Sequence, residues 1–175
     1  MVLTDYFIKK ETKALIIKSP EREHCYRSMA AIRTALFICD AKDWNEARSC
    51  IDKLKALKKT VNTAIFAPTE KDVPTWYSNY VLLRADKDVT LWGFPEKYLQ
   101  KQFNSIPADV IMDFTGEKSA AMYYLMLQHP STFKVGIKQS PTSCYDLSIV
   151  PLDETYTLTY MFDQITGYLQ TITSN

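Results

Sequence analysis

The sequence predicts an α/β fold: a three-layer α/β/α sandwich around a mostly parallel, Rossmann-like sheet of five or six strands, with an N-terminal helical extension. Three observations carry this prediction. Thr34 to Asp40 (TALFICD) is a continuous apolar run of strand length, the pattern of a strand buried on both faces of a parallel sheet. A helical repeat and a second apolar run, Val61 to Phe66, follow directly, which makes a βαβ unit of right-handed crossover. The strand-then-helix rhythm resumes at Ala108 and closes on an amphipathic stripe after Pro151.

Size and composition agree with that class. The chain has 175 residues, 46% of them hydrophobic and 23% charged, the balance of one globular domain with a self-sufficient core. We divide it into an extension, 1–33, and a single α/β domain, 34–175. Four glycines, at 93, 116, 136 and 167, are too few and too scattered for G-x-G-x-x-G or G-x-x-x-x-G-K-[ST], so neither standard phosphate loop is present.

The elements follow in order. Residues 1–33 read as polar helix broken at Ser19-Pro20, with Leu3, Tyr6 and Phe7 as a short apolar stripe. After the first strand, Asp43 is placed as an N-cap and Glu46 as its capping-box partner. Trp44, Ala47, Cys50, Ile51, Leu54 and Leu57 then recur at helical spacing, and lysines crowd the last turn, where the helix dipole favours cations. Tyr80 to Leu83 and Val89 to Trp92 are short strand candidates. Glu96 to Ile106 reads as a short helix, Ala108 to Phe114 as a buried strand, and Ala120 to Gln128 as a helix ended by His129-Pro130. Phe133 to Ile137 and Tyr145 to Val150 are further strands. Leu158, Met161, Phe162, Ile165, Leu169 and Ile172 form the last helical stripe.

Charge and cysteines exclude several function classes. Lys plus Arg is 21 against 20 for Asp plus Glu, which argues against a nucleic-acid partner. Residues 1–33 carry seven basic and four acidic side chains, a segment of +3 read as a solvated basic helix rather than a nucleic-acid or lipid arm. Weak RNA binding through this segment and the central aromatics is a third-ranked alternative. Cys25, Cys39, Cys50 and Cys144 form no C-x-x-C pair, so they read as reduced thiols and not as a zinc or redox motif. With only His24 and His129, no metal site is expected. No apolar run reaches membrane-spanning length, and no export or anchoring signal is legible. The cytoplasm is therefore the expected compartment.

Candidate chemistry is placed by the rule that open α/β sheets bind ligands beyond the carboxyl ends of their strands. Asp40 and Asp113 each end a strand. Brought together, two such carboxylates hold Mg²⁺ or exchange protons; apart, they cap the following loops. The turn Thr115, Gly116, Lys118, Ser119 opens a helix and is an anion-binding candidate, although plain capping by Thr115 explains the same residues. Trp76, Tyr77, Tyr80, Trp92 and Phe94 form an aromatic group suited to an interface or to stacking, against the alternative of packing on the sheet edge. A Cys144–His129 nucleophile pair has no spacing to support it.

The stretch Ala108 to Ile137, with its Asp109-Val-Ile-Met-Asp113 strand and Lys134-Val135-Gly136, resembles an uncharacterised bacterial family of α/β domains. The strand Ile32 to Asp40 and Trp92-Gly93-Phe94-Pro95 are similar too, so the likeness covers about residues 20 to 172. It implies a compact α/β domain and no activity. The βα rhythm is also distantly similar to one half of a two-domain glycosyltransferase, an analogy of fold alone. The expected function is binding, to a partner protein or a small anionic ligand, with a homo-oligomer compatible with the pattern. The alternative is an enzyme on a nucleotide, nucleotide-sugar or phosphorylated substrate, using Asp40 and Asp113. The sequence does not identify a cofactor.

Overall fold

Thr34–Asp40 forms strand β1, and every residue from Ala35 to Asp40 is buried, as a run without polar alternation requires. The computed structural model describes residues 3–18, 25–73, 80–115, 119–137, 144–151 and 156–172. Within them β1 is followed by α2 (Trp44–Ala56), β2 (Thr60–Ala67), β3 (Val81–Arg84), α3 (Lys97–Asn104), β4 (Val110–Asp113), α4 (Ala120–Gln128), β5 (Lys134–Ile137), β6 (Leu147–Ile149) and α5 (Leu158–Thr171), with α1 (Leu3–Lys18) ahead of them. The six strands form one sheet in the order β3-β2-β1-β4-β5-β6, and all five pairings are parallel.

Alternation along the strands sorts the core into two layers. Ala35, Phe37 and Cys39 of β1 and Val110 and Met112 of β4 pack with α2 and α5. Leu36, Ile38, Ala64 and Ile111 pack on the other side with α3, α4 and Ile8 of α1. The sheet is thus covered on both faces, with β1 and β4 at its centre. The four cysteines are free thiols.

Several local expectations change. Asp43 precedes α2 but makes no capping bond. Glu46 instead accepts from the backbone N–H and hydroxyl of Thr159, at 3.1 and 3.2 Å, tying α2 to the start of α5. Packing between helices outbids the local box. Leu57 leaves the apolar stripe and is exposed, because Lys58 turns into the left-handed region (φ 59°) and ends the helix. Val89 to Trp92 is not a strand. A single bridge joins Val89 to Pro95, and Gly93, at φ 84°, reverses the chain between them. On α1 it is Ile8, not Tyr6 or Phe7, that is buried, because the helix lies on α4 by its opposite side. Ser19-Pro20 lies outside the described residues.

His129 does end α4, and as a core residue. Its Nε2 lies 2.9 Å from the Ile106 carbonyl, while Nδ1 accepts the Ser131 N–H at 3.1 Å. That pattern needs the neutral ring, with Nε2 carrying the proton. Burial and the nearby Lys134 lower its pKa, so the unfolded chain binds a proton at a pH where the folded chain does not. Stability is therefore complete above the unfolded value of about 6.5 and falls as pH drops below it. Urea midpoints should decline from pH 7.5 to 5 in the wild type, and the decline should be shallower in His129→Gln.

Candidate functional site

The strand order reverses direction between β1 and β4, the position at which open α/β sheets form their ligand crevice. Both predicted acids stand there. Asp40 is the last residue of β1 and Asp113 the last of β4, and the strands are neighbours with Ile38 paired to Asp113. Counting by alternation, Asp40 and Asp113 share the sheet face of Leu36, Ile38 and Ile111. Two residues of stagger and one strand spacing put their Cα atoms roughly 8 Å apart. Both side chains are buried. Their charges, with that of Asp43, add to burial in raising the pKa of Cys39, which keeps this thiol neutral beneath the site.

The two acids are held differently. Asp113 Oδ1 accepts from the Thr115 N–H at 3.0 Å and the Thr115 hydroxyl at 2.7 Å. Oδ2 accepts from the hydroxyl of Tyr145. Tyr145 reaches it by lying across Gly136, the β5 partner of Asp113; a Cβ at Gly136 would sit 2.7 Å from the ring. Burial, then the charge of Asp113, drives the Tyr145 pKa upward, so the tyrosine stays a donor. Beside it the Tyr123 hydroxyl of α4 accepts the Cys144 N–H at 3.1 Å. Asp113 is thereby locked as an anchored carboxylate.

Asp40 instead borders a cavity of about 310 Å³, lined by Asp40, Ala41, Lys42, Phe66, Pro68 and Asp72. Asp40 and Phe66 are register partners at the ends of β1 and β2, so the cavity sits on the strand tips. Asp72 is oriented by a capping box, in which Thr69 donates its N–H and hydroxyl to Asp72 Oδ2 at 3.1 and 2.8 Å. Among the described lining residues, two carboxylates stand against one ammonium. With Phe66 and Pro68 as its apolar part, the cavity suits a flat or ring-shaped group that carries hydrogen-bond donors.

The other predicted residues that are described have separate partners. The Thr115 hydroxyl is committed to Asp113. Ser119, not Thr115, caps α4, accepting from the Met122 N–H at 3.2 Å. Gly116 and Lys118 lie outside the described residues, as do Trp76 and Tyr77. Tyr80 packs near Trp44, ring centroids 6.3 Å apart, and Phe94 meets Tyr124 edge-on at 5.2 Å. Trp92 is exposed and meets Phe7 of α1. The described members of the aromatic group, Tyr80, Trp92 and Phe94, thus have different partners. Among the described residues no cluster of His, Cys, Asp and Glu is arranged to hold a metal ion, and no helix is long and apolar enough to cross a membrane.

Sequence reasoning missed Lys42, Asp72 and Tyr145. For Asp72 a signal existed, since Thr69-Glu-Lys-Asp72 has capping-box spacing. For Tyr145 none did, because its partner lies 32 positions away. Residues 5–172 match a family model described as a family of unknown function (DUF6913). No curated protein and no solved structure matches the chain.

Proposed function

The chain belongs to this family of unknown function, and from its own residues we propose a small-molecule-binding domain whose ligand enters at the carboxyl ends of β1 and β2. The observation that carries the reading is the Asp40 cavity beside the reversal of strand order. Its acids favour a ligand that donates hydrogen bonds from hydroxyl or amino groups, with a ring laid on Phe66 and Pro68. Lys42 at the rim gives an anionic substituent one counter-charge. A bare anion finds less support there, because Asp40 and Asp72 repel it.

A thermal-shift screen with nucleosides, nucleotides, amino sugars and phosphosugars tests this. A ligand at a hundred times its Kd adds about 2.7 kcal/mol, enough to raise Tm by several degrees. We expect a donor-bearing compound to give that rise, and Asp40→Asn, which keeps the shape and removes the charge, to abolish it. No rise with any class removes the small-molecule reading. A rise kept by Asp40→Asn but lost in Lys118→Ala moves the ligand to the segment before α4.

A second reading has the shared sheet face of Asp40 and Asp113 behind it. Here the protein turns over a nucleotide, nucleotide-sugar or phosphorylated substrate, with Asp40 touching the ligand and Asp113 held by Tyr145 as the fixed charge. It requires turnover of the compound found in the screen.

A further inference from the structure

Five exposed apolar side chains, Tyr6, Phe7, Ile17, Leu91 and Trp92, lie on α1 and on the loop that follows β3. At 100° per residue, Tyr6, Lys10, Lys13 and Ile17 form one stripe of α1, opposite Ile8, Thr12 and Leu15. Ile8 and Leu15 join the core layer that includes α4, so the stripe faces outward. Tyr6 is 54% and Ile17 77% exposed, at the two ends of a line about 16 Å long. Lys9, Lys10 and Lys13 are exposed along it. Glu11 is exposed as well, on the side of α1 from which its charge acts on the Tyr124 hydroxyl of α4.

A second segment extends the patch. Phe7, 40% exposed, meets Trp92 edge-on at 5.0 Å. Trp92 is 57% and Leu91 85% exposed. They sit at the tip of a reversal held by Thr90 N–H to Phe94 O at 2.8 Å and Gly93 N–H to Thr90 O at 2.9 Å. Its base is fixed by Asp88, which accepts from the Arg84 guanidinium and the Tyr98 hydroxyl at 2.6 to 2.9 Å. The tip is therefore rigid and cannot fold its apolar residues away.

We propose that this face docks on an anionic phospholipid surface, with Leu91, Trp92 and the α1 aromatics entering the interface and the lysines contacting the headgroups. Two features select a membrane over a protein partner. Lysines are interleaved with the apolar side chains, whereas protein interfaces deplete lysine. Tryptophan, tyrosine and lysine together are the composition of bilayer interfaces. None of the patch residues named above lines the Asp40 cavity.

Co-sedimentation with vesicles of phosphatidylcholine, with and without about 30% phosphatidylserine, tests the proposal. The full chain should pellet with the anionic vesicles at low salt, remain in solution with the neutral ones, and be released at about 0.5 M salt. Each lysine near an anionic surface contributes about fivefold. Lys10→Gln/Lys13→Gln should therefore weaken partitioning about 25-fold, and Leu91→Ser/Trp92→Ser should weaken it with the charge unchanged. All four positions are exposed, and circular dichroism confirms that the variants fold. Failure to pellet with anionic vesicles overturns the proposal. So does pelleting that Leu91→Ser/Trp92→Ser leaves unchanged. A dimer in light scattering that Trp92→Ala dissociates assigns the patch to a second copy of the chain and overturns it as well.

Discussion

Gly136→Ala should destabilise the protein by about 2–3 kcal/mol, a fall in Tm of roughly 5–10 °C for a chain of this size. The added Cβ would stand 2.7 and 2.8 Å from two ring carbons of Tyr145 and 3.0 Å from the backbone oxygen of Asp113. Gly136 pairs with β4 on one side and β6 on the other, so the backbone is held and Tyr145 must move. Moving it takes the phenol from Asp113 Oδ2, a hydrogen bond to a charged group worth about 1.5–3 kcal/mol. Thermal unfolding of a double-variant cycle isolates the cause. In a Tyr145→Ala background, Gly136→Ala should cost markedly less, because the ring is gone. Strict additivity would show that the clash with Tyr145 is not the reason for glycine here.

Phe37→Ala should cost about 3–5 kcal/mol, the range for truncating a fully buried aromatic. Phe37 of β1 stacks on Phe114 at 4.8 Å and tilts against Phe162 of α5 at 6.3 Å, and Phe114 and Phe162 meet at 6.0 Å. The three rings are buried and join the central strands to the closing helix. Chemical denaturation should show a lower midpoint with an unchanged slope. Leu57→Ala, on the exposed end of α2, should stay within about 0.5 kcal/mol. Equal losses for the two variants would contradict the layering described above.

The fold was legible in the chain to the extent that burial is periodic. Thr34 to Asp40 is a strand from first residue to last, because its continuous apolar run from Ala35 to Cys39 suits burial on both faces of a parallel sheet. The stripe of α5 is buried at Leu158, Met161, Phe162, Ile165 and Leu169, as its spacing requires. Local signals failed where a distant partner competes with them. Asp43 and Glu46 have capping-box spacing, yet Glu46 is engaged by Thr159, 113 positions away. Val89 to Trp92 has strand-like residues, but among the described residues only the Val89–Pro95 bridge pairs with it. Tyr6 and Phe7 resemble a packing stripe, but α4 lies on the other side of their helix.

The site divides along the same line. Asp40 and Asp113 were legible because an acid ending an apolar run marks a strand tip. Their pairing was not, since strand order depends on which faces α2 to α5 cover, and that is an outcome of packing the whole chain. The same packing decided that Asp113 is anchored by Tyr145, that Asp40 borders a cavity with Asp72, and that Trp92 meets Phe7 in the open. The sequence by itself determined the class of fold, the strands of the core and the two acids at their ends. Only the tertiary structure decided which of those acids faces a cavity. Short-range patterns encode burial, whereas a site is made by residues that meet only once the layers have closed.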